Sequence, residues 1–312
     1  MATLHPQVVK ALKTMADAKL RPIETMTPAE ARVQMEAVAV SRKAVPLTVA
    51  RVEDRTIDGP GGHIRLRLYW PEKSGTVPTI ALYHGGGFVI GSLNSHDLTA
   101  RNLCAGAEAL VMAVDYRMGP EHRFPAAVED SWAALRWLHA NAASLGADPT
   151  RIGVHGDSAG GNLAAVLALM ARDAGAPHLR LQSLVYPLCD QKLSGESFVT
   201  FAEGYGLLTY KATVWFRERY LRGAADIGDW HASPARAASH SGLAPAIIVA
   251  AECDVLRDDC IAYAEILRRA GVQVEYHEFR GMIHGFFGMV PGVDDALNAQ
   301  RLVCDAFRRA FA

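Results

Sequence analysis

The chain has no cysteine pair at CxxC spacing, no block of like charge, no internal repeat and no low-complexity tract. It also lacks any apolar run of the ~18 residues that a membrane helix needs. Each absence excludes a class of protein. Five cysteines, Cys104, Cys189, Cys253, Cys260 and Cys304, are scattered and odd in number, which argues against a disulfide framework or a thiolate metal site. They are expected to be reduced, buried thiols, with no metal and no cofactor. The 32 Lys and Arg residues nearly cancel the 33 Asp and Glu. With no basic surface to release counterions from a phosphate backbone, nucleic acid is not an expected partner. The opening stretch, MATLHPQVVKALKTMADAKLRP, lacks the apolar core of a signal peptide. A cytoplasmic protein without stable membrane insertion is the resulting expectation.

What is present is apolar residue in quantity: half of the 312 positions are hydrophobic and 21% are charged. That suffices for one large core with an accessory lobe. Residues 1–45 read as helical, interrupted at Pro22 and Pro28, with Thr27 as cap and Pro28 at the first helical position of TPAEARVQMEAVAVSRK. RVEDRTIDGPGGHIRLRLYWP alternates apolar and polar residues on both sides of Gly59-Pro60-Gly61-Gly62, the pattern of a β-hairpin. From Thr79 onward the short apolar runs TIALY, ALVMAVDY, RIGVHG, LQSLVYP, AIIVAAE and VEYHEF alternate with helical stretches such as VEDSWAALRWLHANAA. Buried strands alternating with helices predict an α/β fold, a mostly parallel sheet covered on both faces. Between Cys189 and about Pro245 this alternation lapses and aromatics gather: Phe198, Phe201, Tyr205, Tyr210, Trp215, Phe216, Tyr220 and Trp230. An insertion covering the sheet's active end is one reading, and ordinary helix packing is the other.

RIGVHGDSAGGNLAAVLALMARDAG runs from a strand (Arg151 to His155) through Gly156-Asp157-Ser158-Ala159-Gly160 into a helix (Gly160 to Asp173). This is G-x-S-x-G in strand–turn–helix context, where small residues two before and two after the serine let a strained turn expose its hydroxyl. No lysine follows to make it a phosphate loop. A serine hydroxyl needs a base, and the base needs an acid to hold its ring. In chain order the candidates are Asp254, just past the run AIIVAAE, and His284, after the strand from Val274 to Phe279. Asp254 is preferred to Asp258 because it sits at a strand's carboxyl end. Asp258 is expected to cap the helix beginning near Cys260. His155 and His277 fall in strand contexts and are expected to be packing residues. Because the base must be neutral to accept a proton, the rate is expected to fall in acid.

Three consecutive glycines cost conformational entropy, so His84-Gly85-Gly86-Gly87 after TIALY needs a reason. A loop of this kind brings backbone N–H groups close to a tetrahedral oxyanion where a side chain would block them. A second donor is expected at the Ala159 N–H, at the start of the elbow helix.

With YHGGGFVIGS, VDYRMGPEHRFPAAVED, GDSAGGNLAA, AECDVLRDD and GMIHGF in this order, the chain resembles the hormone-sensitive lipase family of α/β-hydrolases, in its bacterial esterase branch. Met118-Gly119 stands where that family usually has Leu-Ala, away from the chemistry. The resemblance implies an α/β-hydrolase fold and a serine carboxylesterase that cleaves short- to medium-chain esters through an acyl-enzyme. It implies Ser158 as nucleophile, Asp254 as acid, His284 as base, and Gly86, Gly87 and Ala159 as oxyanion donors. It also implies a cap made of N-terminal helices (residues 1–45) and an insertion (189–240), around a core of 46–188 and 241–312. Many members form dimers, so a homodimer is an open expectation alongside a small-molecule ester substrate. Two rivals remain: the same machinery acting on amides, formamides or lactones, and a noncatalytic receptor. Receptors of this family typically lose the histidine, which is present here as His284. Tyr205, Trp215 and Phe216 are candidates to line an apolar acyl pocket, with core packing as their alternative.

Overall fold

The computed structural model describes residues 3–41, 44–203, 205 and 207–312. Residues 1, 2, 42 and 43 of the predicted N-terminal helical region, and 204 and 206 of the predicted insertion, lie outside the described residues.

Two helices come first, α1 (Pro6–Asp17) and α2 (Pro28–Ser41). The second starts where the sequence predicts, on a reciprocal cap: the Thr27 N–H donates to Glu30 Oε2 at 2.8 Å and the Glu30 N–H to Thr27 Oγ1 at 3.3 Å. Then come β1 (Arg51–Gly59) and β2 (Gly62–Trp70), a hairpin whose Gly59 and Gly62 face each other across Pro60-Gly61. The core continues as β3 (Val77–Tyr83), α3 (Asp97–Ala107), β4 (Leu110–Asp115), α4 (Ala126–Asn141), β5 (Ala147–Asp157), α5 (Ala159–Ala174) and β6 (Leu179–Val185). Among the described residues no strand forms between β6 and β7 (Ala246–Cys253); that interval holds α6 (Ser197–Thr200), α7 (Tyr210–Tyr220) and short 3₁₀ turns. α8 (Arg257–Arg269), β8 (Val274–Ile283) and α9 (Asp294–Phe311) complete the chain.

The eight strands form one sheet in the order β1-β2-β4-β3-β5-β6-β7-β8, antiparallel only at β1–β2 and β2–β4. Every residue of β3 is buried, as expected for a central strand covered on both faces. α3 packs on α9 and α4 on α5. The chain leaves β3 to one side for β4 and returns on its other side for β5, so the carboxyl ends of β3 and β5 form a topological switch point, where open α/β sheets place ligands. Register then fixes the site, because Tyr83 pairs with Gly156. The residues after each, His84 to Gly87 and Asp157-Ser158, emerge side by side.

Two expectations need correction. Asp258 does not cap α8: that helix begins at Arg257 after Leu256, with no side-chain cap. The turn starts earlier because Asp254 Oδ1 accepts the Leu256 N–H at 3.0 Å, leaving the Asp258 carboxylate to accept the Ser197 N–H at 2.8 Å. His277 is not a packing residue either. It lies on the outermost strand, partly exposed, 3.8 Å from Glu275. His155 is buried as expected, its Nδ1 3.0 Å from Ser183 Oγ. All five cysteines are buried and unpaired.

Asp259 ties the start of the interval after β6 to α8: its buried carboxylate accepts the Cys189 N–H at 2.8 Å and the Asp190 N–H at 3.1 Å. Burial pushes this carboxyl up to about 7, and the two amide donors only partly offset it. In an unfolded chain an aspartate ionises near ~4. Between those values the folded state holds a proton the unfolded state has lost, so stability falls as pH rises from about 4 to about 7 and levels off above. Asp259→Asn keeps an acceptor oxygen and removes the titration. Thermal melts at about pH 5 and about pH 8 are expected to show a smaller drop in Tm for the variant than for the unsubstituted protein. Equal drops would contradict the assignment.

Candidate active site

Ser158 stands between β5 and α5 with φ 57° and ψ −118°, a left-handed conformation that costs a non-glycine residue roughly 1–3 kcal/mol. The surroundings enforce it. The Ser158 N–H donates to Val185 O at 2.8 Å, and its carbonyl accepts the Asn162 N–H at 3.0 Å. Glycines make the turn sterically feasible: a Cβ on Gly156 would lie 2.1 Å from Gly160 O, and one on Gly160 would lie 1.9 Å from Tyr83 O. The first turn of α5 therefore packs backbone to backbone on the end of β3.

Asp254 directly follows β7 and His284 directly follows β8, so neighbouring parallel strands deliver both to the same sheet end. His284 Nε2 lies 2.9 Å from Ser158 Oγ, and His284 Nδ1 lies 2.7 Å from Asp254 Oδ2. The Asp254 side chain is fully buried and its other oxygen is occupied by the Leu256 N–H. A buried carboxylate must be matched by donors, and here it leaves one oxygen for Nδ1–H. In the neutral imidazole this orients Nε2 as an acceptor toward the serine hydroxyl. The Tyr186 ring, 4.6 Å from the imidazole, flanks it.

The glycine loop lies across from this hydroxyl. Gly86 and Gly87 have φ of 116° and 60°, and neither N–H donates a hydrogen bond among the described residues. A Cβ on Gly86 would come within 2.2 Å of Ile90 O, and one on Gly87 within 2.2 Å of the Phe216 ring. The Gly85 N–H has a different role, donating to Asp157 Oδ1 at 3.0 Å. The Ala159 N–H, at the first position of α5, has no intrahelical acceptor and sits at the helix's positive end.

Above these groups is a cavity of about 610 Å³, within the range of small-molecule sites. Its floor includes Gly86, Ser158 and His284; its walls come from α1 (Leu12, Met15), α2 (Ala31, Met35) and α7. Of the three candidate aromatics only Phe216 lines it. Trp215 is buried in a small cluster with Met26, Ala31, Val89, Ile90 and Phe216, and Tyr205 packs against the main core. Arg32 of α2 fastens the wall to the loop, donating to Val89 O at 2.8 Å and to Gly119 O at 2.8 Å. No group of three or more metal-ligating side chains occurs among the described residues, and no helix among them is long and apolar enough to cross a membrane.

Sequence reasoning missed the groups behind the glycine loop. Asp157, His96, His84 and Tyr116 form a buried polar network: His84 Nδ1 lies 2.8 Å from Gly85 O, the Tyr116 hydroxyl donates to His84 O at 2.6 Å, and His96 Nε2 is 3.3 Å from Asp157 Oδ1. The charge at the variable position of the elbow was the available signal for Asp157. His96 had none, since only the fold brings SLNSHD to the elbow.

A family model described as an alpha/beta hydrolase fold matches residues 80–288, from within β3 to just past His284. The chain is 44% identical over 258 residues to the esterase LipI of Mycobacterium tuberculosis, covering 80% of this chain and 79% of that protein. It is 37% identical over 322 residues to an ethyl acetate hydrolase of Pseudomonas putida, covering 98% and 99%. A hyperthermophilic esterase from the archaeon Pyrobaculum calidifontis has a similar structure, with a TM-score of 0.94 at 38% identity over 99% of this chain and 100% of that one.

Proposed function

The chain belongs to the hormone-sensitive-lipase-like family of α/β-hydrolases, and on that premise we propose that it is a serine carboxylesterase acting on small-molecule esters in the cytoplasm. The observation that carries this reading is the hydrogen-bond chain from Asp254 through His284 to Ser158 at the floor of the cavity. His284 Nε2 takes the Ser158 proton as Oγ attacks the ester carbonyl carbon. The carbonyl oxygen becomes an oxyanion that Gly86, Gly87 and Ala159 N–H groups meet as preorganised donors. Collapse of the tetrahedral intermediate breaks the bond to the alcohol oxygen, which leaves with the proton from His284. Water then repeats the sequence on the acyl-enzyme, releasing the acid and restoring Ser158. Asp254 holds the imidazole tautomer and stabilises its cation.

The cap in this reading consists of α1, α2 and the interval containing α6 and α7, which wall the cavity and shield it from bulk solvent while leaving room for the one water that attacks the acyl-enzyme. The ester reading is supported by the activities named for the relatives; the amide reading shares every group described. Rates on p-nitrophenyl butyrate and the matching anilide separate them. Faster cleavage of the ester is expected, and a preference for the anilide would favour the amidase reading.

Acyl length is assigned to Phe216, whose ring lies against Gly87 and narrows the cavity beside the donors. Phe216→Ala removes that wall. Each added methylene accommodated in an apolar pocket is worth roughly 10-fold or more, so the ratio of octanoate to butyrate turnover is expected to rise at least ~10-fold. A chain-length series of p-nitrophenyl esters reads it directly. An unchanged ratio would place the acyl wall elsewhere.

A further inference from the structure

The carboxylate beside the nucleophile has no step in the mechanism above, and its position is costly. Asp157 and His96 are nearly buried, their side chains 18% and 11% exposed. Asp157 Oδ1 accepts the Gly85 N–H at 3.0 Å, and Oδ2 lies where a Cβ on Gly85 would come within 2.3 Å. The carboxylate thus fits flat against a residue that has to be glycine. Gly85 is held from its other end as well, since its carbonyl meets His84 Nδ1 at 2.8 Å. Burial, and then the charge of His96, push the His84 imidazole down to about 4. At neutral pH it is therefore the uncharged ring whose Nδ1–H donates to that carbonyl. Both peptide groups around Gly85 are fixed, and the next two N–H groups along the chain are those of Gly86 and Gly87.

A full negative charge near a developing oxyanion raises the barrier unless it is compensated. Compensation is present. The Ser95 hydroxyl donates to Ser92 O at 3.0 Å and lies 2.9 Å from His96 Nδ1. That nitrogen therefore faces an acceptor, as His96 Nε2 does at Asp157. The form of the ring that satisfies both sides is the cation. Burial works against the Asp157 charge, but His96 and the Gly85 N–H hold its carboxyl down to about 2.

We propose that Asp157 and His96 are a positioning pair for the oxyanion loop. The carboxylate orients the peptide ahead of the two donors, and the imidazolium cancels the field that carboxylate would impose on the transition state. This rests on reading Ser158 as nucleophile and Gly86 and Gly87 as donors.

The test is steady-state kinetics on p-nitrophenyl butyrate, with the affinity of a trifluoromethyl ketone that binds serine as an oxyanionic hemiketal. The variants are Asp157→Ala, Asp157→Asn, His96→Ala and Asp157→Asn combined with His96→Ala. Loss of an oxyanion donor's geometry costs up to roughly 100- to 1,000-fold in kcat. Asp157→Ala is accordingly expected to lower kcat and ketone affinity together by roughly 30-fold or more, with KM within about threefold. Asp157→Asn keeps an acceptor for Gly85 and is expected to stay within roughly tenfold of the parent. His96→Ala leaves the charge uncompensated, so adding Asp157→Asn to it is expected to recover at least roughly fivefold in kcat. A residue serving only the fold would give no such rescue. The proposal is overturned if Asp157→Ala keeps kcat within about threefold, if its loss appears in KM alone, or if the double variant is no faster than His96→Ala. Should Asp157→Ala fail to fold, the His96→Ala pair decides. Ser158→Ala, run in parallel, separates the two levels. If it stays active, the serine reading fails; if it is inactive while the other variants match the parent, only the positioning pair is wrong.

Discussion

Ser158→Ala is expected to lower kcat for p-nitrophenyl butyrate by roughly 10⁶, the scale at which nucleophile and base fail as a unit. The loss is chemical and not structural. Ser158 Oγ has one hydrogen-bond partner among the described residues, His284. The bonds that hold the elbow run through its backbone, from its N–H to Val185 O and from the Asn162 N–H to its carbonyl. Alanine meets the same backbone strain at φ 57° that serine does. Thermal stability is therefore expected to be nearly unchanged, and substrate affinity is expected to persist, because the cavity walls on α1, α2 and α7 are untouched. Retention of more than a small fraction of the parent rate in this variant would show that Ser158 is not the nucleophile.

Asp254→Asn is expected to cost roughly 10⁴ in kcat, and the hydrogen bonds explain why so small a change has so large an effect. One oxygen of Asp254 accepts the Leu256 N–H at 3.0 Å, while the other faces His284 Nδ1 at 2.7 Å. An asparagine keeps its oxygen on Leu256, because the amide NH₂ cannot accept from that N–H. Its NH₂ then turns to His284 Nδ1, which becomes the acceptor. The ring proton moves to Nε2, where it faces Ser158 Oγ and leaves the imidazole unable to take the serine proton. Packing is preserved, since the two side chains match in volume. The expected result is a fall in kcat with KM little changed and the melting transition intact. A fall of less than roughly tenfold would show that the carboxylate does not set the tautomer.

The parts of this molecule legible in its sequence are those encoded locally. The hairpin about Pro60-Gly61, the Thr27 cap of α2, the elbow at Gly156 to Gly160 and the glycine loop each depend on a few adjacent residues, whose backbone demands show in their identities. The placement of Asp254 and His284 at one sheet end is also legible, because each directly follows an apolar strand. What could not be read depends on rotation or on distance along the chain. Trp215 and Phe216 are neighbours on α7 and share one small cluster, yet only Phe216 also lines the cavity. Composition cannot say which face of that helix turns inward. Asp258 reads as a helix cap because caps are local. Its carboxylate instead reaches the Ser197 amide, 61 residues away in the chain, and Asp254 opens the turn before α8. The Asp157 and His96 pair lies in the same class, since 61 residues separate the two in the chain and only the fold brings them together.

The proposed mechanism requires one activated nucleophile, Ser158. Incubation with a fluorophosphonate probe, followed by peptide mass spectrometry and a residual-activity assay, tests it most directly. One adduct is expected, on Ser158, formed in step with the loss of esterase activity and absent from Asp254→Asn on the same time scale. Continued ester hydrolysis by unlabelled protein, or inactivation by an adduct on another residue while Ser158 stays unmodified, would contradict it.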